Sequence, residues 1–164
     1  MAKIELVSVD DLAAAVRALF AHELAEAAPI FRSAGVLAQA ARGDYRDSMV
    51  RAQVQVEGVP CELSLGIRAG TQSHSDGGVC VEGHFDICLY HAELDISMAD
   101  HMAQFEQIVS PPDAAGPDPW SWCQKAIEEA KAQLGECPEY VALREAAELR
   151  SYLPVVRNLS RFRI

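Results

Sequence analysis

The sequence predicts an α+β domain in which a small antiparallel sheet, a meander of three or more strands, packs against helices from both ends of the chain. Three observations carry that expectation. Residues 49–90 contain three successive stretches of alternating apolar and polar residues. Residues 10–29 and 119–153 repeat apolar residues at helical spacing. The segments between the alternating stretches are short and rich in glycine, so neighbouring strands connect locally. At 164 residues, half of them hydrophobic, the chain can bury about two-thirds of its unfolded surface, enough for a core without disulfides or a structural metal. It reads as one domain spanning 1–164.

Residues 3–9 alternate weakly and suit a short strand. From Asp10, the residues Leu12, Val16, Leu19, Phe20, Leu24 and Ala27 recur at helical spacing until Pro29, and Ser8 with Asp11 has the form of a capping box. A poorer helical stretch over 30–41 would complete a helical hairpin. Val50, Ala52, Val54 and Val56 then alternate with Arg51, Gln53, Gln55 and Glu57, Gly58 supplies a turn, and Val59, Cys61, Leu63, Leu65 and Ile67 continue the pattern. Residues 69–78 are polar and glycine-rich, which suits a mobile hairpin tip. A third strand follows, with Val79, Val81, Phe85, Ile87 and Leu89 on one face and Cys80, Glu82, His84, Asp86, Cys88 and Tyr90 on the other.

After Asp95, the spacing of Met98, Met102, Phe105 and Val109 predicts a helix capped by Ser97 and ended by Pro111 and Pro112. Residues 110–118 read as a linker. Asp118 and Pro119 form a strong helix start, followed by a stripe of Trp120, Cys123, Ile127, Ala130 and Leu134 with Gly135 as its cap. Pro138 opens a last helix that should stop near Leu153, before Pro154. The final ten residues suit an edge strand or a basic tail.

Charge is the most informative functional feature. The formal net charge is -10, and residues 57–118 hold eleven acids against one base, Arg68, so the whole excess lies in this segment. Such a region repels a polyanion, which argues against direct binding of nucleic acid and for a basic surface on a protein partner. No apolar stretch approaches the roughly 20 residues that cross a bilayer, which argues against a membrane role. The opening Met-Ala-Lys-Ile-Glu lacks the basic start and apolar core of a signal peptide. Five cysteines without a C-x-x-C pair suit a reducing compartment, so the expected location is the cytoplasm.

Catalytic patterns are weak. His84 and Asp86 form an H-x-D pair at strand spacing that could begin a metal site, with His91 or His101 as a third ligand. Cys80, Glu82, His84, Asp86 and Cys88 spread along one strand face rather than converge, so the expectation is of no cofactor and no metal. Cys88 beside His84 or His91 is the nearest approach to a nucleophile and base, but neighbouring acids raise a thiol pKa. Cys61 and Cys123 fall on core stripes, and Trp122 suits an exposed interface position. The residues expected to meet a partner are Glu57, Glu62, Glu82, Asp86, Tyr90, Glu93 and Asp95. The leading expectation is a non-enzymatic acidic binding protein, which could inhibit a nucleic-acid-binding complex by imitating its phosphates. The alternatives are an assembly protein forming a homodimer or larger homo-oligomer, and a metal-dependent enzyme using His84 and Asp86.

Overall fold

A computed structural model describes residues 3–25, 45–73, 79–109 and 119–160. They form a five-stranded mixed sheet in the order β1-β2-β3-β4-β5, with helices from both ends of the chain, an α+β fold. The strands are β1 (Lys3–Leu6), β2 (Tyr45–Val56), β3 (Val59–Ser73), β4 (Val79–His91) and β5 (Ile96–Val109). β1 runs parallel to β2, and the other three pairings are antiparallel. The predicted helix over 30–41 and the linker over 110–118 lie outside the described residues.

β1 leads into a 3-10 turn (Val9–Asp11) and then α1 (Leu12–Leu19). The capping box forms: Asp10 N–H donates to Ser8 Oγ at 3.1 Å, and Ser8 N–H donates to the Asp11 carboxylate at 3.0 Å. Leu12, Val16 and Phe20 are buried, with Phe20 edge-on to Phe85 of β4 at 5.6 Å.

Alternation in β2, β3 and β4 has the predicted parity. Ala52, Val54, Val56, Val59, Cys61, Leu63, Leu65, Ile67, Phe85, Ile87 and Leu89 all lie on one buried face. The β2–β3 turn is two residues long, with φ of 50° at Glu57 and 82° at Gly58, the paired positive angles of a hairpin turn that matches strand twist. Gly58 is required twice over, because a Cβ there would also meet Ala147 Cβ at 2.7 Å.

The packed face is covered by α1 and α2 (Pro119–Glu136), which buries Cys123, Ala126, Ile127, Ala130 and Leu134. Trp122, expected at the surface, is half-buried against this core. α3 (Pro138–Ser160) follows after Cys137, and its Tyr140 is buried at the margin of the core.

Four expectations need correction. The helix predicted from Ser97 is β5: Met98 is buried while Met102 is exposed on the opposite face, so the supposed stripe divides between two sides of a sheet. The strand period is disguised because Ala99, His101 and Ala103 occupy the packed side with little apolar bulk, and a bulge opposite Leu89 and Tyr90 shifts the phase. Helix-favouring Met, Ala and Gln are overridden by pairing along the length of β4. The glycine-rich tip is shorter than expected, since β3 continues to Ser73 and β4 starts at Val79. Gly135 lies inside α2, which ends at Glu136. The last helix passes through Pro154 to Ser160 instead of stopping before it or giving way to a strand.

Candidate functional site

The side of the sheet away from the helices is built by the same alternation as the core, one residue out of step. Met49, Arg51, Gln53, Arg68, Glu82, Asp100, Met102, Gln104 and Glu106 are exposed there. Register sets the rows across it. Gln53, Glu62, Tyr90 and Ser97 lie abreast, followed by Arg51, Ser64, Cys88 and Asp100, and then by Met49, Gly66, Asp86 and Met102. Farther along, Arg68, His84 and Gln104 share a row, and Glu82 faces Glu106.

These identities shape the surface. Ser64 and Gly66 give the middle of β3 almost no bulk, whereas Met49 on β2 is 66% exposed and Met102 on β5 is 48% exposed. The result is a shallow trough with apolar flanks three strand spacings, roughly 14 Å, apart. Acids line it at Glu62, Asp86 and Asp100, with Arg51 and Arg68 interleaved. His84 Nε2 sits 3.2 Å from the Asp86 carboxylate. The edge of β5 is partly closed, because Gln133 of α2 accepts the outward N–H of Asp100 at 2.8 Å.

The structure gathers some of the expected partner-binding residues and disperses others. Glu62 and Tyr90 are directly opposed across β3 and β4, and the Tyr90 hydroxyl donates to Asp95 in the β4–β5 turn, where Glu93 is also exposed. That hydrogen bond, reinforced by the Asp95 and Glu62 charges, raises the phenol pKa. Asp86 lies farther along the trough. Glu82 is eight residues from Tyr90 on the same strand, roughly 26 Å away. Glu57 belongs elsewhere: it accepts a hydrogen bond from the Tyr140 hydroxyl at 2.5 Å and lies 3.8 Å from Arg144, both on α3. Sequence reasoning missed Met49, Asp100 and Met102 as a set. The alternation of Asp100, Met102, Gln104 and Glu106 was the signal that could have found the last two.

His91 is buried on the packed side, where its Nδ1 accepts the Leu94 N–H at 3.2 Å. His101 pairs with Ile87 on that same side, so neither histidine can join His84 and Asp86 around one ion. The Cys88 thiol has a raised pKa, chiefly through burial, with Asp100 and Glu62 adding to it and a contact to Ser97 opposing it. Burial pushes Cys61 up to about 12. Both shifts run opposite to what an activated thiolate requires.

A second concavity, an open groove of about 500 Å³, lies between the end of β1, the β2–β3 turn and α3. Glu5, Val7, Glu57, Arg144, Glu148 and Ser151 are among its lining residues. No family model, curated protein or solved structure matches the chain. No helix among the described residues is long and apolar enough to cross a membrane.

Proposed function

We propose that this is a non-enzymatic binding protein whose open sheet face engages a basic surface on a protein partner. The observation that carries the reading is the trough itself, with carboxylates at Glu62, Asp86 and Asp100 between exposed methionines at 49 and 102. Core packing uses neither the acids nor the methionines, and exposed methionine adapts readily to a varied apolar surface. Charge complementarity would steer the encounter, while the methionines would supply the desolvated contacts that slow release. Arg51 and Arg68 among the acids favour a partner surface of mixed sign over imitation of a continuous run of phosphates.

The test is affinity capture from the native host with the full chain, comparing wild type with Met102→Lys and Asp86→Lys. A partner retained by wild type and lost from both variants, with folding unchanged, supports the reading. Equal capture by all three overturns it. Free DNA at physiological salt should remain unbound by each form in a mobility-shift assay, because the acidic segment repels it.

A further inference from the structure

The described sheet ends in two edge strands, β1 and β5, and they are finished differently. On β5, Gln133 of α2 accepts the outward N–H of Asp100, and Ile96–Val109 hold acids at Asp100 and Glu106 with neither lysine nor arginine. On β1, the only paired strand among the described residues is β2. The Leu6 carbonyl accepts the Glu57 N–H at 2.9 Å, so Leu6 turns its backbone polar groups toward β2. Direction alternates along a strand. Ile4 therefore shares the orientation of Leu6, while Lys3 and Glu5 turn their N–H and C=O groups away from the sheet. An outward row of this kind is a template for another strand.

The side chains say which strand fits. Ile4 and Leu6 pack on the helix side, and Lys3 and Glu5 are exposed on the open side, beside Gln53 and Gln55 of β2. A lysine on an edge ordinarily deters pairing, but here an acid of the same face stands two residues away. If two β1 strands run antiparallel about a two-fold axis at Ile4, Lys3 of each copy falls opposite Glu5 of the other. These are the residues whose backbone groups point outward, so each Lys3–Glu5 pair also exchanges two backbone hydrogen bonds. Between the pairs, Ile4 meets its own counterpart on the apolar side.

We infer that β1 pairs antiparallel with β1 of a second copy, through reciprocal Lys3–Glu5 contacts about a two-fold axis at Ile4, joining the two five-stranded sheets edge to edge. Neighbouring axes lose the complementarity. An axis at Glu5 sets that carboxylate against its own copy, and one at Leu6 sets Glu5 opposite Val7 and Lys3 opposite Val9. β5 offers no counterpart, because its exposed charges are all of one sign. A two-fold axis normal to the sheet leaves both open faces on the same side, so the dimer displays two troughs together. This pairing stands apart from whatever the troughs bind.

Sedimentation velocity of the full chain from 5 to 500 μM, at 50 and 500 mM NaCl, tests the inference. Wild type should dimerise, more weakly at the higher salt. Lys3→Glu and Glu5→Lys should each weaken association by about tenfold or more, since each sets like charges opposite one another. Combining the two substitutions in one chain should restore it, as should mixing the two single variants, because every pair then joins opposite signs. Ile4→Cys should form a disulfide-linked dimer on mild oxidation, since directly opposed residues of this kind have Cα atoms about 4.5 Å apart. Glu5→Cys should not, because the two copies of that position would lie roughly 8 Å apart. Thermal unfolding checks that each variant is folded, and the charge variants suffice if Ile4→Cys is not. A wild type that stays monomeric at 500 μM overturns the proposal. A dimer that the combined charge exchange fails to restore, or one cross-linked more readily at position 5 than at position 4, overturns it as well, because another edge or register then carries the contact.

Discussion

The two faces of this sheet share every strand and every backbone hydrogen bond, yet they obey different rules. On the packed side, β2, β3 and β4 present Val54, Val56, Leu63, Leu65, Phe85, Ile87 and Leu89, all nearly inaccessible to solvent. On the open side, the same strands present Met49, Arg51, Glu62, Arg68, Asp86 and Tyr90. Folding dictates the first set, because each side chain must fill a fixed volume without a polar orphan. Packing constrains the second set far less, so acids, small residues and exposed methionines can stand side by side there. That difference can be measured by substituting along one strand and watching whether stability responds.

The largest effect belongs to the packed face. Phe85→Ala should cost about 3 to 5 kcal/mol, since the ring is fully buried and packs edge-on with Phe20. Asp86→Ala, one residue along, should cost far less, and both values come from chemical denaturation at neutral pH. Comparable losses at the two positions would mean that the open face is also part of the core.

Between these extremes lies the junction that ties α3 to the sheet. Gly58→Ala imposes a side chain on a φ of 82° and forces its Cβ toward Ala147, so a loss of about 1 to 3 kcal/mol is expected. Ala147→Gly should restore the part caused by contact and leave the part caused by the backbone angle, a separation that a double-mutant cycle reads directly.

Tyr140 adds a pH signature to the same junction. Burial, together with the hydrogen bond to Glu57 and its charge, raises the phenol pKa well above the ordinary 10. An acid whose pKa is raised on folding gives stability that is present below pH 10 and is lost as pH climbs through the folded value. Thermal stability should therefore decline above about pH 10, and Tyr140→Phe should flatten that decline. An unchanged alkaline slope in the variant would place the titrating group elsewhere.

How much could be read from the sequence follows the division between faces. β2, β3 and β4 were legible because large β-branched and aliphatic residues mark the packed side at every second position. The start of α2 was legible because proline at the first helical position and a four-residue apolar rhythm agree. β5 was not, since Ala99, His101 and Ala103 satisfy a packed face already filled by α2 without announcing it, and Met102 looks apolar while standing outside. The far end of α3 was hidden by Pro154, whose local preference is to end a helix. Of the candidate site, the acids of β4 were visible as an alternating set. The trough was not, because its low floor depends on Ser64 and Gly66 lying between β2 and β4, and register is a property of pairing rather than of any one segment.

The smallest expected effect is also the most diagnostic of the open face. Glu82 lies directly opposite Glu106 in the register of β4 and β5, and both are exposed. Like charges facing each other across a sheet destabilise it by roughly 0.2 to 1 kcal/mol. Glu82→Lys replaces that repulsion with attraction, so the melting temperature should rise by about 1 to 4 °C at low ionic strength. The gain should shrink at 0.5 M salt, where screening acts over only a few ångströms, whereas the cost of Phe85→Ala should not, because burial of an aromatic ring is insensitive to screening. A stabilised variant that still folds identically would show that the two acids persist at a cost to the sheet, as expected of residues retained for contact with another surface. A destabilised one would mean that the pair is part of the folding interactions, and the distinction between the two faces would fail at this end of the sheet.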